Sequence, residues 1–280
     1  MHVLFFLCGF VAVAFVLVIT LYLIVSGLPA IREVGLVDFL FGTTWDSTNK
    51  TNPQYGILPF ILTSIYGTAG AILIGVPIGF MTAVFLAKVA PPKVASAIRP
   101  AVDLLAGIPS VVYGMVGMVI LLPGIRELFD LRAGDTLLAA IIVLAVMILP
   151  SIISVSETAL RAVPREYEEA SLALGATDIE TNFRVTAPAA KSGIAAAVVL
   201  GVGRAIGEAM AIMMVAGNAA NMSSLFSSVK FLTTAVASEM SYAPDGSLQK
   251  MALFSIGLVL FVFIMMINII LNVVLKREKE

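Results

Sequence analysis

The chain has 280 residues, of which 60% are hydrophobic and 12% charged, with a formal net charge of −1. A soluble domain carries about 45–50% apolar and about 25% charged residues, because its outer shell faces water. The composition therefore excludes an ordinary soluble fold, and a net charge near zero leaves a nucleic-acid role without electrostatic footing. A single cysteine, Cys8, rules out a disulfide within the chain; with His2 as the only histidine, metal clusters and His-dependent triads are also disfavoured.

A helix rises about 1.5 Å per residue, so about 20 apolar residues cross about 30 Å of hydrocarbon. The first such run covers residues 3–25. It is too long for a signal-peptide core and no small-residue cleavage site follows, so it reads as a retained helix. Residues 26–55 are polar, with Trp45 and Tyr55 expected as interfacial anchors. Further spans are predicted at 57–87, 101–122, 137–155, 193–216 and 251–275, giving an all-α integral membrane protein of about six transmembrane helices. The expected organisation is a first helix with its loop (1–56), a transmembrane core (57–275) and a short tail (276–280).

Gly75, Pro77 and Gly79 in the second span, and Gly107, Pro109, Gly114 and Gly117 in the third, read as close helix packing or kinks. Asp103 stands where it could N-cap the third span or join a substrate path. Ser110 is expected to bond back to its own helix, and Met210, Met213 and Met214 to fill gaps in packing.

Lys and Arg set the orientation. One alternating set of flanks holds Lys88, Lys93, Arg99, Arg161, Arg165, Arg184, Lys191, Lys276, Arg277 and Lys279; the other holds Arg32, Lys50, Arg126, Arg132, Lys230 and Lys250. The richer first set is assigned to the cytoplasm, which places both termini inside.

The longest loop on that side, 156–191, reads SETALRAVPREYEEASLALGATDIETNFRVTAPAAK. Pro164 suits the first turn of a helix, and Glu166, Glu168 and Glu169 suit its positive end. Gly175 is placed to end that helix, Asp178 to start a second, and Pro188 to stop it or to open the fifth span. A solvated or interfacial helix pair is the plain reading.

In the fifth span, GVGRAIGEAMAIMMVAGN (201–218), Arg204 and Glu208 lie within an apolar helix. A charge at that depth costs about 2.5–3.5 kcal/mol on insertion scales, so it faces the bundle interior or a water-filled path. The i, i+4 spacing puts both on one helix face. Two readings stand: a mutually neutralising pair that pins packing, or a path arginine with its counter-ion. In the second, the guanidinium suits a tetrahedral oxyanion and Glu208 keeps it from binding too tightly to leave. Gly201, Gly203 and Gly207 are expected to permit close helix approach.

The 156–191 loop resembles the cytoplasmic motif of ABC importer permeases: Glu-Ala-Ala, three residues, Gly, nine residues, Ile-x-Leu-Pro. Here Glu169, Ala170 and Ser171 are followed by Gly175, then Val185, Ala187 and Pro188 at matching spacing, with Ser171, Val185 and Ala187 departing as small or apolar swaps. The resemblance implies a type I ABC importer permease fold and makes this segment the coupling helix that docks on an ATP-binding subunit. GRAIGEAMAIMMVAGN and LLAGIPSVVYG (104–114) are similar to the fifth- and third-span signatures of phosphate-specific ABC permeases, with Tyr113 and Gly217-Asn218 favouring the PstC type over PstA. Matching segments run from about 41 to 272; the N-terminus departs, because such permeases commonly begin with a charged cytoplasmic segment.

The resemblance further implies a plasma (inner) membrane complex. It would hold a homologous PstA-like permease, two ATP-binding subunits and an extracytoplasmic phosphate-binding protein. The chain has no GxxxxGK[ST] loop, so ATP and Mg are expected on the partner subunits and no cofactor or enzyme activity on this chain. Alternatives are a permease for sulfate, molybdate or phosphonate, an ion-driven secondary transporter, or a membrane enzyme. The last two leave the 156–191 loop unexplained or lack catalytic groups.

Overall fold

Apolar segments in lipid must satisfy their own backbone polar groups, and helices do so within one segment. A computed structural model describes residues 2–49, 51–222 and 224–277. Lys50, Lys279 and the end of the 276–280 tail lie outside the described residues. The chain runs through α1 (His2–Val34), α2 (Leu36–Phe41), a hairpin of β1 (Trp45–Asp46) and β2 (Gln54–Tyr55), and α3 (Leu58–Val84), which ends in a π-helical turn at Phe85–Val89. Next come α4 (Pro92–Gly107) and α5 (Ser110–Val116); α5 passes through a second π turn, Gly117–Leu121, into α6 (Leu122–Leu128). After α7 (Leu137–Arg161) come α8 (Arg165–Ala173), α9 (Asp178–Thr181), a third π turn at Asn182–Thr186 and α10 (Ala187–Ala189). The last helices are α11 (Lys191–Gly207), α12 (Met210–Val215), α13 (Leu232–Glu239) and α14 (Leu248–Arg277).

Among the described residues, five helices are long and apolar enough to cross a membrane: Leu4–Val34, Leu58–Val89, Ser110–Leu128, Leu137–Arg161 and Leu248–Ile270. A bent pair, Asp178–Ala189 with Lys191–Gly207, turns by 73° and, counted as one broken span, brings the number to six. The third span departs from the expected 101–122. Pro109 lacks an N–H and bars its neighbour from helical geometry, so Ile108 (ψ 128°) and Pro109 (ψ 140°) are extended. Residues 92–107 form a separate helix and the span begins at Ser110.

The centre of the bundle is the seam between α3 and α7. Its α3 side carries Gly75 and Gly79, where a Cβ would come within 2.7 Å of Ile148 Cδ1 and Ile152 Cγ2 respectively. Ile152 also reaches α11, where a Cβ on Gly201 would meet it at 3.2 Å. Both isoleucines are fully buried, so three helices interlock around one wedge. Both α3 and α7 run from the hairpin end of the bundle to the α8 end. α1 leans on α14 through Tyr22 and Phe254, edge to face at 5.4 Å, and through Ser255 Oγ, which donates to the Gly27 carbonyl at 2.5 Å.

Trp45 and Tyr55 are not interfacial anchors. Both are buried, their rings 5.7 Å apart, with Trp45 also against Phe60. A buried indole N–H needs a partner, and Trp45 Nε1 donates to Glu239 at 3.1 and 3.2 Å. Glu239 also receives Lys230 Nζ at 2.6 Å and Ser47 Oγ at 3.3 Å, which ties the hairpin to α13. Burial, with Glu33 adding, raises the Tyr55 hydroxyl above the ordinary phenol value.

Candidate functional site

The fifth span does not run straight through its charged residues. α11 stops at Gly207; Glu208 is extended (φ −75°, ψ 128°) and Ala209 (φ −120°) leads into α12. Arg204 and Glu208 therefore do not share one helix face, and among the described residues no ion pair within 4.0 Å joins them. The neutralising pair, one of the two readings of the sequence, is absent for a physical reason. Once the helix breaks, the Glu208 carboxylate is better used on the exposed backbone of the next helix, and its Oε1 accepts the Ala211 N–H at 3.0 Å. The Glu208 carbonyl, freed by the same break, accepts Thr233 Oγ1 from α13 at 2.7 Å.

Arg204, half-buried in the last turn of α11, is left to other partners. Its Nη1 donates to Ser151 Oγ on α7 at 3.4 Å. A guanidinium has five N–H donors, so among the described residues most of its capacity stays unspent. The Tyr113 hydroxyl donates to the Leu105 carbonyl at 2.7 Å and so spans the break at Ile108–Pro109. The two breaks are neighbours because α12 packs on α5: a Cβ at Gly114 would come within 2.9 Å of Ala211 Cα and of the Met214 sulfur. The structure thus brings the 104–114 and 201–218 segments together at one place, with Arg204, Tyr113, Glu208, Ser151 and Thr233 around it. Gly203 and Gly207 face open space, so of the three glycines only Gly201 serves close packing within this chain.

Asp103 does not N-cap the third span. It lies within α4 and lines a cavity of about 340 Å³ with Arg99, Glu157 and Arg161. Ser151, Thr233 and the role of Tyr113 were not visible in the sequence, since each acts across a distance in chain that no local pattern encodes.

The α8–α10 segment follows the sequence closely. α8 begins after Pro164 and ends in a Schellman arrangement. Gly175 takes φ +88°, its N–H reaches the Leu172 carbonyl at 2.9 Å, and the Ala176 N–H reaches Ser171 at 3.3 Å. A side chain other than glycine's would be strained there. Thr177 and Glu180 form a capping box that starts α9. Ser171 and Thr181 hydroxyls meet at 2.9 Å and fasten the two helices. No residue of α8 is buried, and Leu174 and Ile179 are 91% and 71% exposed. Glu169 and Ala170 are exposed, Val185 is half-buried in the third π turn, and Pro188 sits in α10 before the 73° bend rather than opening the next span.

Comparison with known proteins gives the class. Residues 75–279 match the family described as binding-protein-dependent transport system inner membrane component. The chain belongs to this family: it is a membrane permease component of an ABC importer. It is 38% identical to a probable ABC transporter permease protein, YqgH, of Bacillus subtilis, over 97% of this chain and 89% of that protein. It is 36% identical to the phosphate transport system permease protein PstC of Haemophilus influenzae, over 99% of this chain and 91% of that protein. In fold it matches an inward-facing MetNI methionine ABC transporter (TM-score 0.63, 20% identity, 79% of this chain and 95% of that one). A bacterial alginate ABC transporter matches at a TM-score of 0.69 and 15% identity, over 98% of this chain and 94% of that one. The architecture is that of type I ABC importer permeases.

Proposed function

We propose that this chain forms, with a homologous PstA-like permease, the path by which inorganic phosphate crosses the plasma (inner) membrane. The observation that carries the reading is Arg204 at the meeting of two broken spans, with donors to spare and open glycine surface beside it. A planar, permanently charged guanidinium can give two parallel hydrogen bonds to a tetrahedral oxyanion. Glu208, turned to the Ala211 N–H, leaves Arg204 open to the anion yet keeps negative charge nearby, which favours release. Relatives named as phosphate transport permeases support the same substrate.

The energy comes from two ATP-binding subunits that hold ATP and Mg. They dock on the α8–α10 face through Glu169, Ala170, Ser171, Gly175, Val185 and Pro188 and the exposed Leu174 and Ile179. That face is cytoplasmic in this reading, as are both termini, and an extracytoplasmic phosphate-binding protein delivers substrate to the hairpin end. Closure of the ATPase pair draws the coupling helices together and opens the path outward; hydrolysis resets it.

The test is ATP-dependent uptake of radiolabelled phosphate into liposomes holding this chain with its partner subunits, with sulfate and molybdate as competitors. Uptake that needs ATP and resists both competitors is expected. Arg204→Gln should lower uptake about 10- to 100-fold, the scale of a charge-assisted bond of about 1.5–3 kcal/mol, while assembly and ATP hydrolysis persist. Competition by sulfate or molybdate would overturn the substrate; normal uptake by the variant would remove Arg204 from the path.

A further inference from the structure

Buried charge at the α8 end of the bundle is used in an unusual way. Glu157, on α7 and 9% exposed, is the only carboxylate bonded to two arginines among the described residues. Its Oε1 accepts Nε of Arg99 from α4 at 2.7 Å and Nε of Arg161 from its own helix at 2.9 Å. Both guanidiniums then donate a second time, to one backbone carbonyl. Arg99 Nη2 and Arg161 Nη2 reach the Leu86 oxygen at 3.3 and 2.7 Å. Leu86 lies in the π turn that ends α3, where helix carbonyls lose their usual partners. The end of the second span is thus gripped from α4 and α7 at once.

Two residues further on, the same π turn presents Lys88, whose ammonium pairs with Glu168 of α8. That pair is shielded, with side chains 13% and 23% exposed. Glu168 Oε1 also accepts Thr186 Oγ1, at 3.4 Å, from the π turn that follows α9. A chain of contacts therefore runs from α8 through the Glu168–Lys88 pair, along the backbone of the π turn to the Leu86 carbonyl, and on to Arg99, Arg161 and Glu157. Helix α4 and the fourth span are attached at its far end. Its local charges cancel apart from one, and each charged member has a partner, so it is built as a joint rather than as a ligand site.

We propose that this chain of contacts is the relay by which movement of the α8–α9 pair reaches the membrane helices, with Glu157 and Glu168 as positioning residues for transport. The inference rests on the permease reading above. Coupling through packed contacts needs elements that move as one body. The pair Lys88–Glu168 makes the coupling helix and α3 one body; the Glu157 clamp makes α3, α4 and α7 one. Helix α4 leads directly into the break at Ile108–Pro109, so the relay ends where the candidate path begins.

The experiment uses the full complex in liposomes and reads phosphate taken up per ATP hydrolysed. Glu157→Gln and Lys88→Glu are expected to keep the complex assembled and ATP hydrolysis running while that ratio falls about tenfold, the scale of a typical coupling between sites. The exchange Lys88→Glu with Glu168→Lys should restore the ratio, and assembly and hydrolysis that persist in the single variants separate a coupling defect from a merely structural one. An unchanged ratio in both single variants overturns the relay. So does loss of assembly in every variant, the exchange included, since the contacts would then serve folding alone. Wild-type complex that hydrolyses ATP without taking up phosphate would instead overturn the proposed substrate, so the two failures are distinguishable.

Discussion

Two helix pairs in this chain are held together by opposite means. The α3–α7 seam is made by side chains distant in sequence: Ile148 and Ile152 of α7 fill notches at Gly75 and Gly79 of α3, and both isoleucines are fully buried. The α8–α9 pair has no buried residue in its first helix. A left-handed glycine, a capping box and one hydroxyl pair shape it, all within a few residues of one another. The seam is rigid because neither helix can move without emptying the notches of the other. The pair is shaped locally before it touches anything, so its exposed apolar side chains are already in place for a partner and little ordering remains to be done on binding.

The largest effect expected from this contrast lies in the seam. Gly79→Val would drive side-chain atoms into Ile152, which is already wedged against Gly201 of α11. Overpacking of this kind costs about 1–3 kcal/mol. Thermal denaturation of the detergent-solubilised protein should show a clearly lowered midpoint, with α11 loosened as well. An unchanged midpoint would mean that the seam is softer than its geometry.

Next in size is the turn between α8 and α9. Gly175→Val forces a β-branched residue into φ +88°, a strain of about 1–2 kcal/mol. Nothing lies within 4 Å of a Cβ there, so no packing is disturbed. The thermal midpoint of the membrane bundle should therefore hold, while the ATP-binding subunits no longer copurify. A fall in the midpoint equal to that of Gly79→Val would erase the distinction between the two pairs.

The same contrast explains what could be read from the sequence. Pro164, Gly175 and Asp178 act over three or four residues, so the α8–α9 pair was legible with its limits nearly right, although the cap is made by Thr177 and Glu180. The spans were legible as apolar runs, but the break at Pro109 was read only as packing or a kink, and the break at Glu208 was not read at all. Pro109 carried a local signal that the apolar run 101–122 masked, because periodicity and composition continue across it. Glu208 carried almost none: the break there depends on a carboxylate turning to the Ala211 N–H and on Thr233, 25 residues away, taking the vacated carbonyl. Arg204 was recognisable as a charge that apolar surroundings must accommodate, yet its partner Ser151 lies on another helix. Trp45 looked like an anchor because aromatic residues at loop ends commonly are; only Glu239, 194 residues on, explains its burial. Contacts of that range belong to the fold and have no image in local pattern.

The smallest expected effect tests whether the α8–α9 pair is held as locally as it looks. Glu180 accepts the Thr177 backbone N–H and hydroxyl, both at 3.1 Å. These bonds, the backbone one first, hold its carboxyl below the ordinary glutamate value, with Arg184 helping slightly. Because the folded value lies below the unfolded one, the unfolded segment binds more protons in acid. The stabilisation is complete above the ordinary glutamate value of about 4.3 and is lost as pH falls through the depressed one. Limited proteolysis of the 165–190 segment should therefore accelerate on acidification in the wild type. Glu180→Gln, whose side-chain amide does not titrate, should be cleaved faster at neutral pH and show a flatter pH profile. Cleavage within the α3–α7 seam should follow neither change. If Glu180→Gln kept the wild-type profile, the capping carboxylate would not be what holds the pair, and its order would have to come from the Lys88–Glu168 contact to the bundle instead.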